Sequence, residues 1–378
     1  MHFLFIPDSF KGTLSSETVC DVLEEVAKEY YSDAKITRIP VADGGEGSVD
    51  VFLSLGLGEK KYCNVRNSFM EEKRAYYLLN SKNNTAIIEL AQACGLPEVY
   101  DRRDPKKTTT YGVGEFIKDA IENGAKKVII ALGGSSTNDG GVGIACALGA
   151  KFYNESGEVF LPTGGTLKSI QKIDVSEMEK GINGIEFSVM CDVDTVLTGT
   201  RGASAVYGPQ KGATDSDVLL LDRGLSHLNE LWKTLYNKDF SVISGGGAAG
   251  GAGAGISAFL GGVLESGIEI VLRLTDFEER LKTCDYVFTG EGRFDEQSFM
   301  GKVISGVSQK TRKYSKKLIV IAGLIQGVTK EQLSRAGIIK AYATNPLGLP
   351  FEQVKNTARD DLIKTAKMVF EDVKLGKI

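Results

Sequence analysis

Four short runs in this chain join glycine to side chains that carry a charge or a hydroxyl. They are PDSFKG at 7–12, ADGGEG at 42–47, GGSSTNDGGVG at 133–143 and TGEGRFD at 289–295. The first sets Asp8, Ser9 and Lys11 within four residues. Lys11 can neutralise a phosphate or a carboxylate, and Asp8 can orient it or bind magnesium. The second carries Asp43 and Glu46 among glycines, a pattern suited to a hard cation or to proton transfer. The third offers Ser135, Ser136 and Asn138. The fourth alternates Glu291, Arg293 and Asp295, which suits a carboxylate-held magnesium beside a cation, the apparatus of phosphoryl transfer. A further run, CDVD at 191–194, puts Asp192 and Asp194 two residues apart at a strand end. If the strand continued, both would face one side, about 7 Å apart. The competing reading of each run is a tight turn, a helix cap or a surface ion pair. Four such loops in one chain favour a site.

Residues 245–255, GGGAAGGAGAG, hold seven glycines and four alanines. Such a tract offers bare backbone N–H groups, which bind phosphate at glycine loops and helix N-termini. The alternative is a hinge or a close-packed crossing. Gly253-x-Gly255-x-x-Ala258 satisfies a relaxed dinucleotide fingerprint, but its preceding strand, 240–243, is weak. The P-loop pattern is absent, as are protein-kinase signatures. Only two histidines occur, His2 and His227, so a Ser-His-Asp triad or a His-rich zinc site is excluded as a reading and the general base falls to a carboxylate or a lysine.

These loops need elements to aim them. Strands are predicted at 2–6, 36–41, 76–79, 86–90, 127–132, 185–191, 286–289, 318–322 and 339–343, and helices at 15–30, 112–123 and 215–235. Alternation at this spacing predicts α/β architecture with largely parallel sheets. The charged loops then fall at the carboxyl ends of strands, where open α/β sheets bind ligands. Glycine numbers 45 in 378 residues, about 12% against roughly 7% in ordinary proteins, yet it is clustered, so collagen is excluded. A net charge of −4 gives no general attraction to nucleic acid or an anionic membrane. The six cysteines form no CxxC pair and read as reduced thiols of a cytoplasmic protein. The N-terminus has no secretory pattern, and the longest apolar stretch, 318–325, is far short of the roughly 20 residues that span a bilayer.

Taken in order, PDSFKG, ADGGEG, TTTYGVGE at 108–115, GGSSTNDGG at 133–141, CDVDTVL at 191–197, RGASAVYGPQKGA at 201–213, the glycine–alanine tract and TGEGRFDEQ at 289–297 resemble the type I glycerate kinase family over almost the whole chain. One departure is Val196, where proline often stands. The resemblance implies ATP-dependent phosphorylation of D-glycerate, typically at the 2-hydroxyl. It implies two α/β domains: a flavodoxin-like doubly wound domain from both chain ends, with a second α/β domain inserted in it. The expected boundaries are 1–62 plus 285–378 for the first and 63–284 for the second.

From its strand-end position beside Asp194, Asp192 is the expected base, with Asp43 its runner-up. Glu291 and Asp295, with Asp194, are expected to hold Mg²⁺, and Arg293 to stabilise the transferring phosphoryl group. Lys11, Arg201, Lys211 and Arg293 are the cations for carboxylate or phosphate. Ser135, Ser136 and Asn138 with Gly250, Gly251, Gly253 and Gly255 are expected to cradle ATP phosphates, and Asp8 and Ser9 to contact ligand. The expected partners are D-glycerate and ATP, with no nucleic acid and no membrane, and a homodimer is left open. The rivals are a 3-phosphoglycerate-forming or other hydroxy-acid kinase and, more remotely, a nicotinamide-dependent oxidoreductase or a ligand sensor.

Overall fold

The computed structural model describes residues 1–41, 47–300 and 303–378. Asp43 and Glu46, and with them most of the second loop, lie outside the described residues. The chain divides into two compact units, Met1–Asp43 with Ser266–Ile378, and Gly44–Glu265. The first unit opens with β1 (His2–Pro7) and β2 (Lys35–Arg38). The second contains β3 (Glu59–Arg66), β4 (Glu72–Asn80), β5 (Thr85–Glu89) and β6 (Lys127–Ala131). Three short strands follow, β7 (Lys151–Tyr153), β8 (Val159–Phe160) and β9 (Lys172–Asp174), then β10 (Glu186–Met190) and β11 (Val263–Glu265). The chain returns to the first unit with β12 (Tyr286–Gly290), β13 (Arg293–Phe294), β14 (Lys317–Ala322), β15 (Leu324–Ile325) and β16 (Ile338–Ala343).

In the first unit the main sheet runs β16-β14-β12-β1-β2, and every pairing is parallel. Counted within the unit, that is the order 2-1-3-4-5 of flavodoxin-like sheets, which reverses direction between β1 and β12. All six residues of β1 are buried, as a central strand covered on both faces requires. Phe3 and Phe5 point to one side, where Phe288 of β12 meets Phe5 edge-on at 5.3 Å and stacks on Phe370 at 5.2 Å. Phe370 belongs to the helix Ala358–Lys374, which lies against the helix Ser16–Tyr30. That second helix starts where the Ser15 hydroxyl accepts the Thr18 N–H, and it buries Val19, Val22, Leu23 and Val26 at helical spacing.

The second unit's sheet runs β11-β10-β6-β5-β4-β3. Its four strands β11, β10, β6 and β5 are parallel, but β4 and β3 are antiparallel additions, so this sheet is mixed. The long helix Asp215–Tyr236 begins in a reciprocal cap between Thr214 and Asp217 and buries Trp232 edge-on to Phe240 and Phe259. Residues 240–243 form no strand, because Phe240 is used to close on Trp232.

The unit boundaries differ from those expected at 62/63 and 284/285. The helix Ser48–Ser54 packs on β4 and β5, and β3 is the hairpin partner of β4, so these residues join the second core. The helices Gly267–Leu274 and Phe277–Thr283 pack against the helix Val303–Lys313 and β1, so they join the first. Among the described residues, no helix is long and apolar enough to cross a membrane. Because Phe370 is fully buried among Phe3, Phe5 and Phe288, Phe370→Ala is expected to cost the first unit about 3–5 kcal/mol. Urea unfolding followed by circular dichroism measures it; a loss below about 1 kcal/mol would show that this aromatic cluster does not hold the sheet to its helix.

Candidate functional site

In the first unit the loops after β1 and β12 stand side by side at the point where the strand order reverses. The Asp8 N–H donates to Gly290 O at 2.8 Å, and the Asp8 carboxylate accepts the Ser9 N–H at 2.6 Å. Gly292 permits this approach, and Gly290 lets the end of β12 lie against β14. A Cβ on Gly290 would lie 1.8 Å from Ile321 O, and one on Gly292 would lie 3.2 Å from Lys11 N. The turn closes with Phe10 N–H donating to Leu14 O and with Gly12 at φ +81°, the left-handed region that suits glycine.

These loops floor a cleft of about 500 Å³. Its polar lining is Asp8, Ser9, Lys11, Thr13, Glu291, Arg293, Thr344, Asn345 and Asp361, and its apolar lining includes Leu324, Leu349, Phe351, Val354 and Ala358. Glu291 is buried, whereas Lys11 and Arg293 are exposed. Asp8, Ser9, Lys11, Glu291 and Arg293 are thus brought together, as their loops suggested.

Asp295 is not part of this group. It does not line the cleft. Its carboxylate accepts the Gln297 N–H at 2.9 Å, capping the short helix Glu296–Phe299, and pairs with Arg293 Nε at 3.2 Å. These contacts are those of the cap-and-ion-pair reading. Arg293 also donates to the Gln326 side chain at 2.6 Å. Asp194 belongs to the second unit. Among the described residues, no three His, Cys, Asp or Glu side chains form a cluster that could hold a metal ion; of the expected carboxylates, Glu291 lines the cleft.

In the second unit the loop after β6 is buried from Ser135 through Asp139. Asp139 is its anchor. Its carboxylate accepts from Thr110 N–H at 2.7 Å, Thr110 Oγ1 at 2.9 Å, Thr109 Oγ1 at 3.3 Å, Gly141 N–H at 3.1 Å and Gly143 N–H at 3.3 Å. Burial pushes its pKa up and the backbone donors pull it back. Lys211 is only 2% exposed and donates to Ser135 Oγ at 2.8 Å and to Thr137 O at 2.6 Å. Burial pushes its pKa down to about 7, against the opposing pull of Asp139. Asn138 donates to Ser204 Oγ at 3.1 Å, and Ser136 bonds the Cys94 carbonyl through both N–H and hydroxyl. Ser135, Asn138 and Lys211 therefore share one buried polar cluster, while Ser136 serves the backbone and Arg201 is exposed outside it.

The glycine–alanine tract is packed against this loop. Ala249, Gly250 and Gly251 have φ of 52°, 67° and 89°, ahead of the regular part of the helix Ala248–Leu260. A Cβ on Gly250 would lie 2.1 Å from Thr137 O, and one on Gly255 2.0 Å from Gly140 O. Gly253 lies against Gly245 O and Gly251 against Leu197 and Leu225. The glycines are needed for a close crossing. The close crossing accounts for Gly250, Gly251, Gly253 and Gly255 by packing, the alternative given for this tract. Asp192 and Asp194 are exposed in irregular backbone past the end of β10, so the strand does not continue and the two-residue strand spacing does not apply.

Two buried carboxylates escaped the sequence reading. One is Asp139, signalled by an acid just before Gly-Gly and a helix. The other is Glu89 at the end of β5, 2% exposed, whose Oε1 accepts the Val49 N–H at 2.5 Å at the start of the helix Ser48–Ser54. Burial raises its pKa, offset by the Val49 and Gly47 N–H groups. Its signal was an acid between Ile88 and Leu90 in an apolar run. Both histidines are structural: His2 bonds Thr37 Oγ1 and Thr283 O, and His227 bonds Ile170 O.

A flavodoxin-order sheet with a charged cleft at its reversal point is the layout of an α/β enzyme acting on small ligands. The profile of the glycerate kinase family matches residues 3–374. The chain is 42% identical over 324 residues to the glycerate 2-kinase of Escherichia coli K12, covering 85% of each chain. It is 38% identical over 378 residues to the glycerate kinase of Bacillus subtilis 168, covering 100% of this chain and 99% of that one. A crystal structure from Salmonella typhimurium LT2, described as a glycerate kinase 2, superposes with a TM-score of 0.86 at 37% identity, over 100% of this chain and 99% of that one. The chain belongs to the glycerate kinase family, and it is a kinase.

The buried Lys211 carries a pH signature. Its folded pKa, about 7, lies below the ordinary lysine value of 10.5. Between those two pH values the unfolded chain binds more protons, so the Lys211 contribution to stability rises with pH across about 7 to 10.5. The urea midpoint of the native protein is expected to rise relative to that of Lys211→Met as pH goes from 7 to 9.5. A constant difference across that range would show that Lys211 titrates as an ordinary exposed lysine.

Proposed function

We propose that the protein transfers the γ-phosphoryl group of ATP to the 2-hydroxyl of D-glycerate, giving 2-phospho-D-glycerate and ADP. The observation that carries this reading is the cleft at the β1/β12 reversal, where Lys11, Glu291 and Arg293 converge beside an apolar wall. The glycerate 2-kinase name of the E. coli relative supports the regiochemistry. The hydroxyl oxygen forms a bond to the γ-phosphorus, the bond from that phosphorus to the bridging oxygen of ADP breaks, and the hydroxyl proton passes to a carboxylate.

Lys11 and Arg293 offset phosphate charge, and Asp8 with the backbone of its loop fixes where Lys11 stands. Magnesium is bound through one or two carboxylates and the phosphates themselves, with water completing its shell, so the single buried Glu291 fits it without a protein-only cage. The ion would supply charge neutralisation on the transferring oxygens. The buried cluster of Ser135, Asn138 and Lys211 is the second unit's candidate for anion contact. Asp192 is the proposed proton acceptor, since neither histidine is available for the task. The six cysteines are free thiols, in keeping with a reducing cytoplasmic setting.

The test supplies ATP, Mg²⁺ and D-glycerate with enolase as the sole coupling enzyme. Direct formation of phosphoenolpyruvate is expected. A signal that depends on added phosphoglycerate mutase would mean the 3-phosphate is the product. Asp192→Asn is expected to lower kcat at least 100-fold with folding intact, in the range of a lost general base. Near-normal turnover in that variant would move the role to another carboxylate.

A further inference from the structure

The cleft of the first unit is lined by charged and by apolar side chains, and D-glycerate accounts only for the charged ones. A three-carbon hydroxy acid presents a carboxylate and hydroxyls, which suit the Lys11 and Arg293 rim. It is far smaller than about 500 Å³ and gives no partner to an apolar wall. That wall is unusual because its large side chains are open to solvent: Leu349 is 44% and Phe351 is 49% exposed. Exposed apolar residues are ordinary when scattered, but two that line one cleft are a reason to look for an apolar ligand group.

The wall is also held in place. The Asn345 side chain donates to Leu349 O at 2.9 Å and accepts the Leu349 N–H at 3.0 Å. Asn345 N–H in turn donates to Gly323 O at 2.8 Å, which ties the loop to the end of β14. The Phe351 ring lies against Gly12, where a Cβ would come within 3.0 Å of Phe351 Cζ. One part of the ring thus abuts the Lys11 loop while the rest stays open. An aromatic ring pre-positioned beside a phosphate-binding loop matches a ligand that is flat and apolar at one end and anionic at the other.

We propose that Phe351 and Leu349 form the base-binding wall of the nucleotide site, seating the adenine of ATP with its phosphates directed to Lys11. This rests on the reading of the protein as an ATP-dependent kinase, and it places the nucleotide in the first unit instead of on the glycine–alanine tract. Phe351 stacks on the base, and Leu349 covers it.

The test is calorimetric titration of MgADP into the full-length protein and its Phe351→Ala, Leu349→Ala and Phe351→Tyr variants, with steady-state kinetics on each. Both residues are half exposed, so the variants are expected to fold. Loss of base stacking is expected to raise the Kd for MgADP and the KM for ATP about tenfold in Phe351→Ala. The KM for D-glycerate is expected to stay within twofold, and Phe351→Tyr to bind within threefold of the native protein. Native binding of MgADP by Phe351→Ala and Leu349→Ala would overturn the proposal and leave the kinase reading intact. A rise in the glycerate KM with no change for ATP would also overturn it. A native protein that binds no MgADP would overturn both.

Discussion

The parallel pairing of β1 with β12 is the contact on which the rest of the first unit depends. It joins residues 3–7 to residues 286–290, with the whole second unit lying between them in sequence. It is reinforced by the Thr289 hydroxyl on Ile6 O and by the Asp8 N–H on Gly290 O. Closing so long a loop is less costly than its length suggests, because each doubling adds only about 0.6 kcal/mol of closure entropy. The phenylalanines of β1, β12 and the C-terminal helix supply the opposing gain. Once the strands pair, their loops must leave the sheet side by side. Lys11, Glu291 and Arg293 are neighbours for that reason.

The two units use glycine for different ends. At Gly290 and Gly292 it lets strand-end backbones approach, so charged side chains can flank one cleft. In the tract after residue 244 it lets a helix entry cross the loop that carries Asn138 and Asp139. Composition alone does not separate these uses. Both require a missing Cβ, and the first leaves side chains facing a cleft of about 500 Å³.

Much of the fold was legible. Buried strands such as β1 and β14 are short apolar runs bounded by polar turns, and the helix Ser16–Tyr30 announces itself by its Ser15 cap and its apolar stripe. The unit boundaries were not, because nothing local to residues 59–66 says that they pair with β4 in the second core. That Asp8, Lys11, Glu291 and Arg293 line one cleft was legible, since these stand at strand ends. The cap made by Asp295 was not legible, because a helix cap and a metal ligand are the same residue type next to the same turn. Asp139 and Glu89 were missed because their roles depend on burial, which follows from tertiary packing and not from neighbours in sequence.

Glu291, buried at the floor of the first-unit cleft, is the carboxylate proposed to take part in phosphoryl transfer, whereas Asp295 caps the helix Glu296–Phe299 and pairs with Arg293. The direct test is kcat for Glu291→Gln and Asp295→Asn at saturating MgATP and D-glycerate, with unfolding midpoints measured on both. Glu291→Gln is expected to lose at least 100-fold in kcat at near-native stability. Asp295→Asn is expected to keep kcat within about fivefold. Equal losses in the two variants, or a larger loss in Asp295→Asn, would contradict the claim.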